Sequence, residues 1–535
     1  MTGRTGSGCS TVATILQANK VDIKHSLFSG TSPTNNDQRK QKILFKHYEK
    51  TWNPFQLIQV RSIITLYLLE KSNTEIKTFL HSNTQNYEDG KYSQFFHEID
   101  CLRQDYENIS NIESGVSNFY TNTLPRKCDE IKKILGESVF IVLYQAIGKN
   151  IRLSGDPFNT ETIKGKFFTL AERINKVTKE IYTENKDKGQ KTLIVIDAIR
   201  SSLEAIFFQD RFASFYLVAV SCPDDQRKAR LRVLNISDPE IAEIDKQENK
   251  SHDPNDPKYF SVQDIPSCLQ RADIYISNPD GDSVVSRLSN LTDQVIRFTS
   301  LMRHPGLVTP TAIERCMQIA STAKLNSGCI SRQVGATVTD QNFSVQSIGW
   351  NDAPHGHVPC NLRNRGALLD GQDVNAYSNY ERNDKKYIDN AKIKWGKYKS
   401  IEETGRNVSY CFKADYNELI GEKNQVHTRS LHAEENAFLQ ISKYGGRGIE
   451  GGKLFTTASP CELCSKKAYQ LGIKDIYYID PYPGIALTHI LQGGSNNPTM
   501  HLFSGAVGRA FQKLYSPVLA YKDELNALVD KSTGQ

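Results

Sequence analysis

Apolar residues along this chain occur in two patterns, and each predicts a different element. Residues 192–197 (TLIVID) form a short unbroken apolar run ending in aspartate, which predicts a buried parallel strand. Residues 215–221 (FYLVAVS) and 272–278 (ADIYISN) repeat that form. Ahead of them the pattern is mainly helical. Residues 53–70 carry Phe55, Leu57, Ile58, Val60, Ile63, Ile64, Tyr67 and Leu68 at helical spacing, predicting one amphipathic helix packed into a core. Residues 30–39 and 183–190 are polar and read as loops or linkers.

Pro305 and Pro310 punctuate a boundary, after which residues 311–325 again show helical spacing. Residues 331–338 read as a loop entering a strand, and 346–351 as its hairpin partner. Residues 432–439 read as helix, 453–457 and 475–480 as strands. Pro460 stops the strand before it and opens a helix. These elements predict two α/β domains, 1–300 and 301–535, the first a parallel sheet with a helical insert.

Length agrees, since 535 residues exceed one core and suggest roughly two to four domains. No internal repeat or long low-complexity tract interrupts the pattern. A net charge of +6 suits a protein that handles anionic nucleotides, but it is too small to advertise a nucleic-acid groove. Eleven cysteines, odd in number and without framework spacing, point to a reducing cytoplasm. There is no apolar run of about 18 residues, and the first residues are Gly-, Ser- and Thr-rich; a membrane span and a signal peptide are not expected.

The strongest chemical signal is a pair of short stretches, His432-Ala433-Glu434 and Pro460-Cys461-Glu462-Leu463-Cys464. His432, Cys461 and Cys464 offer an imidazole nitrogen and two thiolates, a soft set suited to tetrahedral zinc. Three protein ligands leave a fourth position open, as in a catalytic site. Zinc lowers the pKa of a bound water from about 15.7 to about 7. Glu434 is not needed as a ligand and is placed to carry protons. H-x-E followed by P-C-x-x-C is the signature of zinc nucleobase deaminases, whereas C-x-x-C alone is shared with redox pairs and structural zinc sites.

A second signal lies at the start of the chain. Gly3-Arg4-Thr5-Gly6-Ser7-Gly8-Cys9-Ser10-Thr11 follows the pattern G-x-x-x-x-G-K-[ST] at Gly3, Gly8 and Ser10, but Cys9 stands at the lysine position. Gly3, Gly6, Gly8, Ser10 and Thr11 would form a phosphate loop opening a helix over 12–20, and Asp197 would be the magnesium-holding acid. Only two residues precede Gly3, so the preceding strand is either supplied differently or begins upstream of this Met1. Gln226-Arg227-Lys228-Ala229-Arg230 fits either a kinase-like lid or a solvated helix face. Without the lysine, the expected role is sensing a regulatory nucleotide or another signal, not phosphoryl transfer.

The zinc motif, the S-x-Q-V-G-A run at 331–336 and the G-W-N-x-x-P-x-G turn at 349–356 together resemble the deoxycytidylate deaminase family. The resemblance implies a cytidine deaminase-like three-layer α/β/α domain. It also implies substrate-binding roles for Asn351 (sugar or base), Arg332 (phosphates) and Tyr482, which would stack on the pyrimidine in the 481–484 segment. The plainer alternatives are a turn asparagine, a surface arginine and a packed loop aromatic. Some members hold a second zinc, for which His355, His357, Cys360, Cys411 and His427 are the available residues, although none shows a structural-zinc spacing. Residues 503–509 either close over a nucleotide or serve turns. The phosphate-loop pattern and the strands that follow it make the first half resemble a P-loop NTPase-like, nucleotide-kinase-like domain, and both halves together resemble the bacterial anti-phage dCTP deaminases. That implies zinc-dependent deamination of free deoxycytidine nucleotides, dCTP and dCMP, depleting the dCTP pool, by a homo-oligomer. Alternatives are a housekeeping deoxycytidylate deaminase supplying dUMP and a polynucleotide cytidine deaminase.

Overall fold

Strands β1 (Gln56–Gln59), β2 (Ile194–Asp197), β3 (Val218–Ser221) and β4 (Ile274–Ser277) carry the sheets of the first unit in a computed structural model of this chain. The structure describes residues 1–23, 32–83, 89–109, 115–248, 263–281, 283–445, 448–480 and 485–533. They divide into Met1–Thr309 with Ser504–Gln535, and Pro310–Phe503. The tail Ser504–Gln535 thus belongs with the first unit, although the sequence pattern assigned it to the second.

β1 pairs in parallel with β2, and β3 with β4. Met1 and Thr2 lie between the two pairs. The Met1 amino group donates to the Ile196 carbonyl at 2.6 Å, while Thr2 N–H donates to Val218 O and Val220 N–H to Thr2 O, both at 2.9 Å. The order is therefore β1-β2-(Met1–Thr2)-β3-β4. A two-residue strand, Gly505–Ala506, adds antiparallel to β4. Val12, Ala13, Val195, Val220, Ile276, Val295 and Phe298 pack together in the core beneath.

Two expectations are corrected here, and one of two open alternatives is set aside. The 53–70 stretch is not one helix: Gln56–Gln59 is a strand, and only Val60–Leu69 is helical. Leu57 and Ile58 are buried in succession because β1 pairs with a partner far along the chain, which local periodicity does not register. The polar 183–190 stretch is largely the end of the helix Thr169–Asp187, whose buried residues Ile174, Val177, Ile181 and Asn185 keep helical spacing under a charged exterior. Residues 503–509 do not close over a ligand, because Gly505 and Ala506 are bonded into the sheet and Val507 N–H donates to Asp273 O at 3.1 Å.

The second unit contains β5 (Gly335–Thr339), β6 (Val345–Trp350), β7 (Lys453–Ala458), β8 (Asp475–Asp480) and β9 (Thr499–Leu502) in the order β6-β5-β7-β8-β9. β5 is antiparallel to β6 and β7, while β7, β8 and β9 run parallel, so the sheet is mixed. Two glycines show how helices reach both faces. A Cβ on Gly335 would lie 2.0 Å from Ala320 O in the helix Ala312–Ala323. One on Gly349 would lie 2.2 Å from Ala433 O at the start of the helix Ala433–Tyr444. Gly349 pairs with Ala336, the neighbour of Gly335, so the two glycines face opposite sides of the sheet. Each helix sits closer to the sheet than any side chain would permit.

The long segment between β6 and the metal motif builds its own small core of Leu368, Ala376, Tyr377, Tyr387 and Tyr410. Arg363, 0% exposed, pairs there with the Glu381 carboxylate and bonds Tyr410 Oη at 2.7 Å and Ala376 O at 2.9 Å. Arg363→Ala would strand Glu381 in that core, and we expect a loss of about 3 kcal/mol in urea denaturation. An unchanged midpoint would mean water reaches the pair.

Candidate metal centre and active site

His432 is the N-cap of the helix Ala433–Tyr444, and Cys461 is the N-cap of the helix Glu462–Gln470 that follows β7. Cys464 falls in the first turn of that second helix and is 1% exposed. His432 Nδ1 lies 3.3 Å from Cys461 Sγ and 3.4 Å from Cys464 Sγ. Among the described residues this is the group of three metal-ligating side chains whose ligand atoms all lie within 4.8 Å of one another. Glu435 ties the two helices together, accepting from His432 N–H at 3.4 Å and pairing with Lys467 in the last turn of the second.

Electrostatics at the two N-termini favour anions. The Cys461 thiol is held down to about 3, first by its hydrogen bond with Cys464 and then by His432. Cys464 is pushed up by that same hydrogen bond and by burial, since two adjacent thiolates repel. His432 is raised by its hydrogen bond with Cys461. The two thiols thus form a pair in which ionising one opposes ionising the other, beside one imidazole. A divalent cation would offset the repulsion that keeps the second thiol protonated, so the donors fit zinc.

Glu434, two residues after His432, is 4% exposed, and burial raises its carboxyl above the usual range. Its Oε1 lies 3.0 Å from Thr456 Oγ1, which also lies 2.7 Å from Ala458 O. One hydroxyl has one proton. If Thr456 donates to Ala458, its remaining lone pair faces Glu434, an arrangement suited to a protonated carboxyl. Thr456 was missed in the sequence, where it reads only as a strand residue; a buried hydroxyl four residues before the P-C pair was the available signal. As a positioning residue, Thr456→Val should lower kcat roughly ten- to a hundredfold with zinc content and KM little changed. A variant with full kcat would remove Thr456 from the site.

The other expected residues are placed differently. Asn351 is 8% exposed and its amide is engaged within the protein: Oδ1 accepts from Ser327 Oγ (2.8 Å) and Val334 N–H (2.7 Å), and Nδ2 donates to Arg332 O (2.7 Å). It pins the loop leading into β5, with one amide hydrogen left for a ligand. Arg332 pairs with Asp480 at the end of β8, so its charge is already matched on one side. Tyr482 lies outside the described residues. His355 and His357 are exposed, and His427 packs edge-on against Tyr416 at 4.6 Å. Cys360 and Cys411 line a cavity of about 30 Å³ with Cys329, which the sequence reading did not single out. In the first unit, Gly3, Gly6, Gly8, Ser10, Thr11 and Asp197 line one cavity, and Ser10 Oγ donates to Asp197 Oδ2 at 2.9 Å. Arg227 of the lid-like segment is buried, paired with Asp224 and Asp245.

Residues 310–480 match the family model described as the cytidine and deoxycytidylate deaminase zinc-binding region. Over 169 residues, 31% of this chain, the sequence is 28% identical to the deoxycytidylate deaminase of Enterobacteria phage T2, covering 78% of that protein. Against its counterpart from Enterobacteria phage T4 the identity is 29%, again over 31% of this chain and 76% of the relative. ComE operon protein 2 of Bacillus subtilis is 44% identical over 54 residues, 10% of this chain and 28% of its own length. Among solved structures, the apo dCMP deaminase of cyanophage S-TIM5 is 21% identical, with 37% of this chain and 100% of that one aligned and a TM-score of 0.22. By the family match, residues 310–480 carry a zinc-binding region of the deoxycytidylate deaminase type. Among the described residues no helix is long and apolar enough to cross a membrane.

Proposed function

We propose that this chain hydrolyses the C4 amine of free deoxycytidine nucleotides, dCTP and dCMP, giving deoxyuridine nucleotides and ammonia. The observation that carries the reading is Glu434: a buried carboxyl, raised by burial and held by Thr456, directly beside the His432–Cys461–Cys464 group. When bound, zinc supplies a Lewis acid that makes water nucleophilic at neutral pH. In its ionised form Glu434 accepts one proton from the attacking water and gives it to N3 of the ring, then takes the proton of the new C4 hydroxyl and passes it to the departing amine. Water adds at C4, the C4–N4 bond breaks, and the ring keeps the oxygen, so one water is consumed per ammonia released. The site is built on two helix starts and a central strand, which holds Glu434 in place before substrate arrives.

Free nucleotides are favoured over polynucleotides by the names of the matched relatives and by the modest net charge of +6. In this reading the enzyme drains the dCTP pool on which a replicating phage depends, and the first unit senses the state that triggers it. The test offers purified protein dCTP, dCMP, CTP and cytidine-containing oligonucleotides while ammonia and nucleotide products are measured. Conversion confined to the deoxycytidine nucleotides is expected. Conversion of oligonucleotides alone would defeat the pool reading, and conversion of dCMP without dCTP would point to a housekeeping supply of dUMP.

A further inference from the structure

The first unit contains a cavity of about 560 Å³, within the range of small-ligand pockets. It opens where Met1–Thr2 ends at the centre of the sheet, outside the carboxyl ends of the strands, where open α/β sheets place ligands. Gly6 and Gly8 take positive φ values of 87° and 108°, which turns the loop into the helix Cys9–Gln17. Among the described residues, the N–H groups of Gly6, Gly8, Cys9, Ser10 and Thr11 have no protein acceptor. The loop already holds one oxyanion of the chain's own: the Glu248 carboxylate, 1% exposed, accepts from Thr5 N–H at 3.1 Å and pairs with Arg200.

The opposite wall is different in kind. The helix Glu137–Ser154 presents Phe140 and Tyr144, stacked with centroids 4.0 Å apart, together with Gln145. Gln145 is 8% exposed, and its Nε2 has no hydrogen-bond partner. An orphaned buried amide hydrogen is costly, and a ligand acceptor on the cavity side would satisfy it. Seven basic side chains line the cavity against three acidic ones; Arg61, Arg152 and Arg230 come from elements outside the loop and are themselves paired with Asp129, Glu204 and Asp280.

We propose that this cavity is a nucleoside-phosphate site: the free loop N–H groups take the phosphates, and Gln145 reads the base from the aromatic wall. Burial pushes the Cys9 thiol up to about 12, so it brings no charge to the loop. The site binds and does not transfer phosphate. This inference stands independently of the deaminase reading.

The experiment uses full-length, zinc-loaded protein carrying Glu434→Gln, titrated calorimetrically with magnesium and dATP, dGTP, dTTP, ATP, GTP or inorganic triphosphate. Cytidine nucleotides are omitted to keep the second unit out of the readout. At least one nucleotide is expected to bind one-to-one, more tightly than triphosphate. Gln145→Leu should weaken it roughly tenfold or more, about the worth of one buried hydrogen bond, while leaving the melting temperature equal or higher because an unpaired polar group is removed. Gly8→Val should abolish binding, since a Cβ there would lie 2.2 Å from Asn278 Nδ2. No binding by any nucleotide, or binding that Gln145→Leu leaves unchanged in a folded protein, overturns the proposal. Triphosphate binding as tightly as every nucleotide would reduce the site to an anion hole and also overturns it.

Discussion

Glu434→Gln should leave a folded, zinc-replete protein whose turnover is lower by about a thousandfold or more, near the upper range for removing a general acid–base group. Glutamine has the same shape and can donate an amide N–H to the Thr456 lone pair, so the packing around this 4% exposed side chain is conserved. What is lost is the ability to take a proton at one stage and return it at another. Zinc would still activate water, which is why some rate above background should persist. Removing a buried ionisable group should not lower the melting temperature. Ammonia release at saturating dCTP or dCMP, metal analysis and a thermal melt decide the matter together. Turnover within tenfold of the parent would remove Glu434 from the chemistry, and loss of zinc would recast it as a ligand.

How much of this site the sequence contained depends on how local each relationship is. His432, Glu434, Cys461 and Cys464 are legible because their chemistry depends on spacings of two and three residues at helix starts, where geometry follows from the chain itself. Thr456 is not legible in that way. Its hydroxyl meets Glu434 only because β7 runs beside the helix that His432 opens. Asn351 and Arg332 stood out as polar residues in a recognisable turn, yet a motif cannot say whether an amide faces substrate or fastens its own loop. The same limit governs the fold. β1 was hidden inside an apparent helix because its partner β2 lies 138 positions further on. Gly505–Ala506 is too short to carry any periodicity, so the return of the tail to the first unit left no trace in the pattern.

Cys461→Ala should abolish activity by a different route, through the metal itself. Zinc content should fall by about one ion per chain, and ammonia release should drop to background. The helix Glu462–Gln470 should survive, because Cys461 makes no side-chain capping hydrogen bond that alanine would lose. His432 and Cys464 would remain, but two ligands do not hold zinc against a chelator. The Cys464 thiol, pushed up largely by Cys461, would also lose its anionic neighbour, and the His432 imidazole would lose the bond that raises it. Cys461→Ser separates metal loss from helix loss: a serine N-cap supports the helix, while its hydroxyl is a poor zinc ligand. Both variants should therefore unfold at the same temperature with and without EDTA, whereas the parent should be destabilised by the chelator. A Cys461→Ala protein that stays zinc-replete and active would dismiss this ligand set. One that keeps zinc without turnover would make Cys461 a determinant of reactivity instead of retention.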